Sequence, residues 1–276
     1  MTKQNQILVL GATGKTGRRV AERLTAQGHN VRMGSRSANP SFDWNNQDSW
    51  PAALEGIDTV YLTFQPDLAI PAAVPAVQAF TEAAAKSGVS KIVILSGRGE
   101  PAAQQCEDIV INSGLNWTVV RADFFFQNFS ESFFLDPILS GVVALPRAAT
   151  KVAFVDADDI ADVATAALTD DKHNGKVYEV TGPRMLTFRE AVEEIASITG
   201  RKIKFIPITV EQYIDKLKEL QLPEEYLWLI NFLFTEVLDG HNSYLTHGVE
   251  EALGRKPRDF SDYAKDAAAT GVWNAG

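Results

Sequence analysis

A buried strand that runs straight into three evenly spaced glycines constrains this chain more than any other feature in it. Residues 6–17 read Gln-Ile-Leu-Val-Leu-Gly-Ala-Thr-Gly-Lys-Thr-Gly. Ile7 to Leu10 is an unbroken apolar run, the pattern of a strand covered on both faces in a parallel sheet. Gly11, Gly14 and Gly17 follow. Val20, Ala21 and Leu24 then fall on one side of a helical repeat, with Arg18, Arg19, Glu22 and Arg23 on the other. Strand, glycine turn and helix in that order make a dinucleotide site. One glycine allows the tight turn, one lets backbone approach a pyrophosphate, and one lets helix pack on strand. The free N–H groups at the helix start hold the anion.

Gly14-Lys15-Thr16 also invites comparison with a mononucleotide P-loop. That loop needs a glycine five places before the Gly-Lys pair, and Val9 stands there. Lys15 is therefore read as a helix-start residue close to the phosphates. The second strand, Asn30 to Met33, ends in Gly34-Ser35-Arg36-Ser37. NAD sites place an acidic residue here for the ribose 2′-hydroxyl, and NADP sites an arginine for the 2′-phosphate. No Asp or Glu occurs from Gln27 to Phe42. Ser35 and Arg36 offer a hydroxyl and a planar fork of donors, so the expected cofactor is NADP(H) rather than NAD(H).

Strand-like and helix-like segments alternate from residue 6 to about 180, which predicts βαβ units and an α/β fold. A short third strand is expected at Phe42-Asp43-Trp44 and a fourth at Asp58–Thr63. A fifth is expected at Lys91–Leu95, a sixth at Asn116–Arg121 and a last at Val177–Thr181. Ligands of such sheets sit beyond the carboxyl ends of the strands, which brings Thr63, Phe64 and Gln65 into the candidate site by position. Residues 1–182 read as the cofactor domain. Residues 183–276 read as a smaller, mainly helical region for substrate, with helices expected over 210–220, 223–238 and 259–269.

The net charge of −9 argues against a nucleic-acid partner or an anionic membrane surface. A single cysteine, Cys106, allows no internal disulfide and fits a cytoplasmic location; it is expected to be buried and inert. The amino-terminal residues lack the apolar core of a signal peptide, and no stretch is long enough to cross a membrane.

Six phenylalanines fall between Phe124 and Phe134. They either line a pocket for a flat apolar ligand or pack a core, and core packing is expected for most of them. Phe124, Phe126 and Asn128 mark where an acceptor pocket would lie. Asp156, Asp158, Asp159 and Asp162 suggest a metal, but Asp158 and Asp159 open a helical pattern, where carboxylates serve the helix start. No metal is expected. Thr187 and Glu190 form a capping box. Reductases of this architecture often pair a tyrosine with a lysine four residues on, to protonate the product. Four places after the six tyrosines stand Gln65, Gly182, Leu217, Ile230, Gly248 and Ala267, so that pair is absent.

Gly11-Ala-Thr-Gly-Lys-Thr-Gly17, Gly34-Ser-Arg36, Trp117-Thr-Val-Val-Arg121, Phe126-Gln-Asn-Phe129 and Val155-Asp-Ala-Asp-Asp-Ile-Ala161 together resemble the NmrA-like branch of the atypical short-chain dehydrogenase/reductases. Phe42-Asp-Trp44, the run from Asn128 to Pro137 and Gly271-Val-Trp273 are most similar to its ergot-alkaloid-type reductases and their bacterial relatives. The resemblance covers nearly the whole chain. It implies a Rossmann-type, doubly wound, mostly parallel sheet in the order 3-2-1-4-5-6-7. It also implies NADP(H) at Gly11–Gly17, Ser35 and Arg36, with further contacts near Thr63, Phe64 and Ser96. The full cofactor set so assigned is Gly11, Thr13, Gly14, Lys15, Thr16, Gly17, Ser35, Arg36, Asp43, Thr63, Phe64, Gln65 and Ser96. Some relatives carry a lysine or histidine where this chain has Ala103, four residues before Glu107.

Two functions follow. One is an oxidoreductase that gives hydride to a flat aromatic or apolar small molecule: a quinone, an iminium or a dye-like cation. Such acceptors need no dedicated acid. The Phe124–Phe134 cluster and the aromatic residues from Tyr226 to Phe234 would supply stacking faces, and Asp123 and Glu107 would either favour a cation or serve only the structure. The alternative is a non-catalytic NADP(H) sensor acting through a protein partner, since the branch also contains proteins of that kind.

Overall fold

The computed structural model describes residues 5–274, so the amino-terminal reading at residues 1–4 lies outside the described residues. The first elements are β1 (Gln6–Leu10), α1 (Lys15–Ala26), β2 (Asn30–Gly34), α2 (Trp50–Leu54), β3 (Thr59–Leu62) and α3 (Ala73–Lys86). Then come β4 (Lys91–Gly97), α4 (Pro101–Ile111), β5 (Asn116–Ala122), α5 (Leu135–Ser140), β6 (Val142–Leu145), α6 (Ala157–Thr169) and β7 (Lys176–Val180). The rest of the chain forms α7 (Phe188–Thr199), β8 (Lys204–Pro207), α8 (Val210–Glu219), α9 (Glu224–Phe232), α10 (Gly248–Leu253) and α11 (Phe260–Ala269).

These elements divide into two compact units. The first takes in residues up to Ala122 together with Ala157–Val180 and His247–Arg255. The second takes in Asp123–Asp156, Thr181–Thr246 and the residues from Lys256 on.

The first unit is a doubly wound α/β sheet of six strands, all parallel, in the order β2-β1-β3-β4-β5-β7. The chain reverses direction across the sheet at β1, which pairs with β2 on one side and β3 on the other. Ile7 to Leu10 are buried, as are Val60 to Leu62 and Ile92 to Ile94, because helices cover both faces. Helix α1 packs on α6, and α3 on α4. Arg19 and Arg23 of α1 reach Asp158 at 3.3 and 2.7 Å, and Arg23 also meets Asp162 at 2.6 Å. Arg255, beyond α10, takes Asp159 at 2.6 Å and Asp162 as well. The four-aspartate stretch thus opens α6, as the sequence suggests, and all four of its carboxylates are held by arginines, Asp156 by Arg258 at 3.2 Å. No group of residues that could hold a metal occurs among the described residues.

One expected strand is missing. Phe42, Asp43 and Trp44 form no ladder, so the predicted order stands with its outermost member absent. The reason lies in the neighbouring side chains. The Asp43 amide donates to Ser49 Oγ at 3.1 Å, and its carbonyl accepts from Trp50 Nε1 at 2.9 Å. With those backbone groups taken, the rings of Phe42, Trp44, Trp50 and Phe80 close into a cluster with centroids 5.1–6.2 Å apart.

The second unit is built on aromatic packing. Phe126, Phe129, Phe134, Phe154, Phe188 and Phe260 form a buried cluster with Tyr263 and Trp273. Each fully buried ring of this kind contributes roughly 2–3 kcal/mol. Trp273 Nε1 donates to the Phe129 carbonyl at 2.8 Å, so the buried indole keeps its hydrogen bond. The unit is helical except for a two-stranded parallel sheet of β6 and β8, and β6 has no counterpart in the sequence reading. Helix α7 starts at the expected capping box. The single helix expected over 223–238 ends earlier: α9 stops at Phe232 and a π-helical turn, Leu233–Val237, follows. Arg147 binds that turn through the carbonyls of Phe234 and Thr235 at 2.7 and 3.2 Å. No helix among the described residues is long and apolar enough to cross a membrane.

Candidate cofactor site

Each of the three glycines at the end of β1 has a distinct structural reason. Gly11 adopts φ +61°, and a Cβ there would lie 2.5 Å from Thr63 Oγ1. Gly14 is the N-cap of α1, and its amide donates to the Gly11 carbonyl at 2.8 Å. A Cβ on Gly17 would stand 2.1 Å from that same carbonyl oxygen, so the first turn of α1 can close on the loop only without a side chain. No side chain caps α1, and its first turn holds no acidic residue. The positive end of the helix therefore faces outward over Thr13 and Gly14, both exposed, with Lys15 beside them and Thr16 buried in the turn.

The end of β2 lies against this loop. The Ala12 amide reaches the Gly34 carbonyl at 3.4 Å, and a Cβ on Gly34 would meet Leu10 Cδ2 at 2.7 Å. Ser35 follows, its carbonyl accepting from the amides of Ala38 and Phe42 at 3.2 and 2.9 Å. Arg36 is exposed, and among the described residues no ion pair engages its guanidinium. Thr63 completes the group from the next strand, its hydroxyl donating to the Leu10 carbonyl at 3.1 Å. Trp44 Nε1 donates to the Thr63 carbonyl at 3.1 Å, and its ring lies 4.9 Å from that of Phe64. The failed strand at 42–44 thus acts as a brace for the end of β3. Gln65 is exposed. The Asp43 carboxylate accepts from the Asn45 amide at 3.0 Å, so it shapes its own turn.

Ser96 stands apart chemically. It is buried, and its hydroxyl donates to Glu107 Oε1 at 2.6 Å. Glu107 is 2% exposed and takes two bonds from Arg121, at 2.9 and 2.5 Å. Arg121 also binds Glu179 at 2.5 Å, and Arg98 lies 3.8 Å from Glu179. The hydrogen bond it donates to Glu107, and the charge of that carboxylate, hold the Arg121 guanidinium above its ordinary pKa, against the opposing effect of burial. Of the two readings of Glu107, the structural one fits, because its charge is already neutralised within the fold. Cys106, beside it on α4, is buried as expected; burial, with Glu107 adding to it, pushes the thiol up to about 12.

In the second unit, Phe126 is core: its ring packs on Phe260 and Tyr263 at 5.1 and 5.3 Å. Phe124 and Asn128 keep partial exposure, and the Asp123 carboxylate accepts from the Phe124 amide at 2.7 Å. On α9, Trp228 and Phe232 stack in parallel at 5.4 Å, with Trp228 43% exposed. Nothing in the sequence reading separated those two rings from their buried neighbours; their four-residue spacing is the only available signal.

The model of the NmrA-like family matches residues 3–264. Prestalk A differentiation protein A of Dictyostelium discoideum is 31% identical, over 94% of this chain and 91% of its own. Agroclavine dehydrogenase of Claviceps fusiformis is 30% identical over 94% and 96%, and the NAD(P)H azoreductase of Xenophilus azovorans 28% over 95% and 98%. Two solved structures share the fold. The triphenylmethane reductase of Citrobacter sp., complexed with NADP(H), superposes with a TM-score of 0.76 at 19% identity, covering 95% of this chain and 99% of that one. The NADPH-dependent quinone oxidoreductase of Escherichia coli, complexed with NADPH, gives 0.73 at 20%, covering 94% and 99%.

Proposed function

The chain belongs to the NmrA-like family, and from that premise we propose that it is an NADP(H)-dependent reductase that passes hydride to a flat electrophile without a Tyr–Lys proton donor. The observation that carries the reading is the start of α1: an uncapped helix end without a carboxylate, set in a loop that only glycine can form. Such an end is an anion site. Its main-chain N–H groups would hold the pyrophosphate, with Thr13, Lys15 and Thr16 around it. Ser35 and Arg36 would hold the 2′-phosphate, and Thr63, Phe64 and Gln65 would lie along the far half of the cofactor. Ser96, its hydroxyl committed to Glu107, would contribute through its backbone.

The bound cofactor supplies the hydride. The chain supplies position, since holding two reactants at contact distance removes much of the barrier to their meeting. A cation such as a triarylmethyl dye or an iminium is neutralised by hydride alone, and a quinone becomes a stabilised phenolate. The acceptors named for the relatives, triphenylmethane, quinone and azo compounds, are flat and aromatic or conjugated.

The test is to mix the protein with NADPH and a panel of quinones, triarylmethane cations and cyclic imines, and to follow the loss of reduced-nicotinamide absorbance. Turnover of at least one class is expected. Tight NADPH binding with no turnover of any acceptor would replace this reading by that of a non-catalytic NADP(H) sensor with a protein partner.

A further inference from the structure

The chain just past β3 is held from outside the sheet. The ladder that pairs β3 with β1 ends at Tyr61, and the one that pairs it with β4 ends at Leu62. Thr63 is the first residue beyond both, and Phe64 and Gln65 follow it outside any helix or strand. The Thr63 hydroxyl donates to the Leu10 carbonyl at 3.1 Å, and its oxygen stands 2.5 Å from where a Cβ on Gly11 would be. The Thr63 carbonyl accepts from Trp44 Nε1 at 3.1 Å. An indole N–H can only donate, and it points in one direction, so this bond fixes the Thr63 peptide relative to the Trp44 ring.

The ring itself has little freedom. Trp44 is carried on a turn in which the Asn46 amide donates to the Asp43 carbonyl at 3.1 Å and the Asn45 amide to the Asp43 carboxylate at 3.0 Å. It packs on Phe42, Trp50 and Phe80 with centroids 5.1, 5.9 and 5.2 Å away, and those three rings are buried. Phe64 lies against it at 4.9 Å. Tilted and edge-to-face contacts of this kind favour one mutual orientation. Trp44 keeps partial exposure, so its N–H could have been given to water. It is given instead to the main chain that no ladder reaches.

We propose that Trp44 is a positioning residue for hydride transfer, acting through the Thr63 carbonyl and the Phe64 ring. The proposal rests on the reductase reading and adds to it the residue that aims the cofactor. Ligands of doubly wound sheets lie beyond the carboxyl ends of the strands, where Thr63, Phe64 and Gln65 would meet the far half of the cofactor. The phosphates are assigned to the glycine loop and to Arg36, on β1 and β2, and Trp44 bonds to neither. Without its N–H the Thr63 peptide is held by the hydroxyl alone. The anion site then stays formed while the chain along the far half of the cofactor gains freedom. A misplacement of about 1 Å between reacting atoms can slow a reaction on the order of a hundredfold.

The experiment uses Trp44→Phe, which keeps an aromatic ring and loses the N–H, and Phe64→Leu, which keeps the main chain and loses the ring contact. Each variant is saturated with NADPH and mixed rapidly with a triarylmethane cation, so that a single hydride transfer is followed apart from cofactor binding and product release. Transfer in Trp44→Phe should slow by about tenfold, part of the range open to a misplaced reactant. Steady-state kcat should fall together with kcat/KM for NADPH, leaving KM near its unmodified value. Phe64→Leu should slow transfer by a smaller factor, because the bond to the Thr63 carbonyl remains. Transfer at the unmodified rate in Trp44→Phe would overturn the proposal. So would a raised KM with unchanged transfer in the saturated complex, since that marks a role in the fold or in binding alone. If Trp44→Phe does not fold, Phe64→Leu decides, and an unchanged transfer rate there overturns the proposal. An unmodified protein that binds NADPH and reduces no acceptor would instead remove the reductase reading, and this proposal with it.

Discussion

The two ends of one sheet edge treat their polar groups in opposite ways. Where β1 and β2 finish, an uncapped helix start, exposed loop residues and the exposed Arg36 are left facing outward. Where β4, β5 and β7 finish, Ser96, Glu107, Arg121 and Glu179 are consumed by one another at 2.5–2.9 Å. The first arrangement suits an anion. The second is complete as it stands, and a ligand would gain little from its charges. The difference is a guide to which residues bind and which only hold the strands in place, although both groups are polar and both lie at strand ends.

Breaking the closed end should have the larger effect on stability. Arg121→Ala leaves Glu107 buried with only the Ser96 hydroxyl for company. An uncompensated buried charge costs about 3–5 kcal/mol, and urea unfolding measures it. Adding Glu107→Leu to Arg121→Met should return most of that loss, because the penalty belongs to the orphaned charge. NADPH affinity of the molecules that remain folded should change much less. Loss of NADPH binding with stability intact would invert the comparison and make Arg121 a binding residue.

Gly17→Ala comes next. Its Cβ would stand 2.1 Å from the Gly11 carbonyl oxygen, which belongs to backbone and has little room to yield. A strain of roughly 1–3 kcal/mol is expected, along with weaker NADPH binding, because the loop that opens is the one that faces the phosphates. Gly14→Ala is the control. Its Cβ would lie 3.2 Å from the same oxygen at a φ of −83°, a conformation open to any residue. It should cost distinctly less in a thermal melt. Equal costs would mean that glycine at these positions serves flexibility rather than close approach.

The open end was legible in the sequence and the closed end was not, for a physical reason. Gly11 and Gly17 sit where a side chain collides with backbone or with Thr63, so local geometry dictates the residue type and the spacing records it. The pairing of Glu107 with Arg121, or of Arg121 with Glu179, depends on which strand lies beside which. No local periodicity carries that information. The same limit hid β6, whose partner β8 lies some sixty residues further along the chain. At Phe42–Trp44 the alternation of aromatic and polar residues mimicked a strand, while Ser49 and Trp50 had taken the backbone groups a ladder requires. Among the phenylalanines, burial separated Phe126 from the half-exposed Phe124 only once the fold was in place.

The smallest effect tests the open end directly. With a net charge of −9, the chain as a whole repels a 2′-phosphate, so the attraction must come from a local cation. Arg36 is the exposed candidate beside Ser35. Arg36→Ala should weaken NADPH by about tenfold, or ~1.4 kcal/mol, the scale of one charge-assisted phosphate contact, and leave NADH nearly unchanged. Arg36→Lys should restore part of the difference, since it keeps the charge and loses the planar fork. Because the guanidinium is exposed, its contribution should shrink as salt is raised, whereas the defect in Gly17→Ala, being steric, should not. Fluorescence titration of both nucleotides at two ionic strengths separates the two. If NADPH and NADH weaken equally in Arg36→Ala, the arginine does not read the 2′-phosphate, and the open end of the sheet edge selects for a pyrophosphate alone.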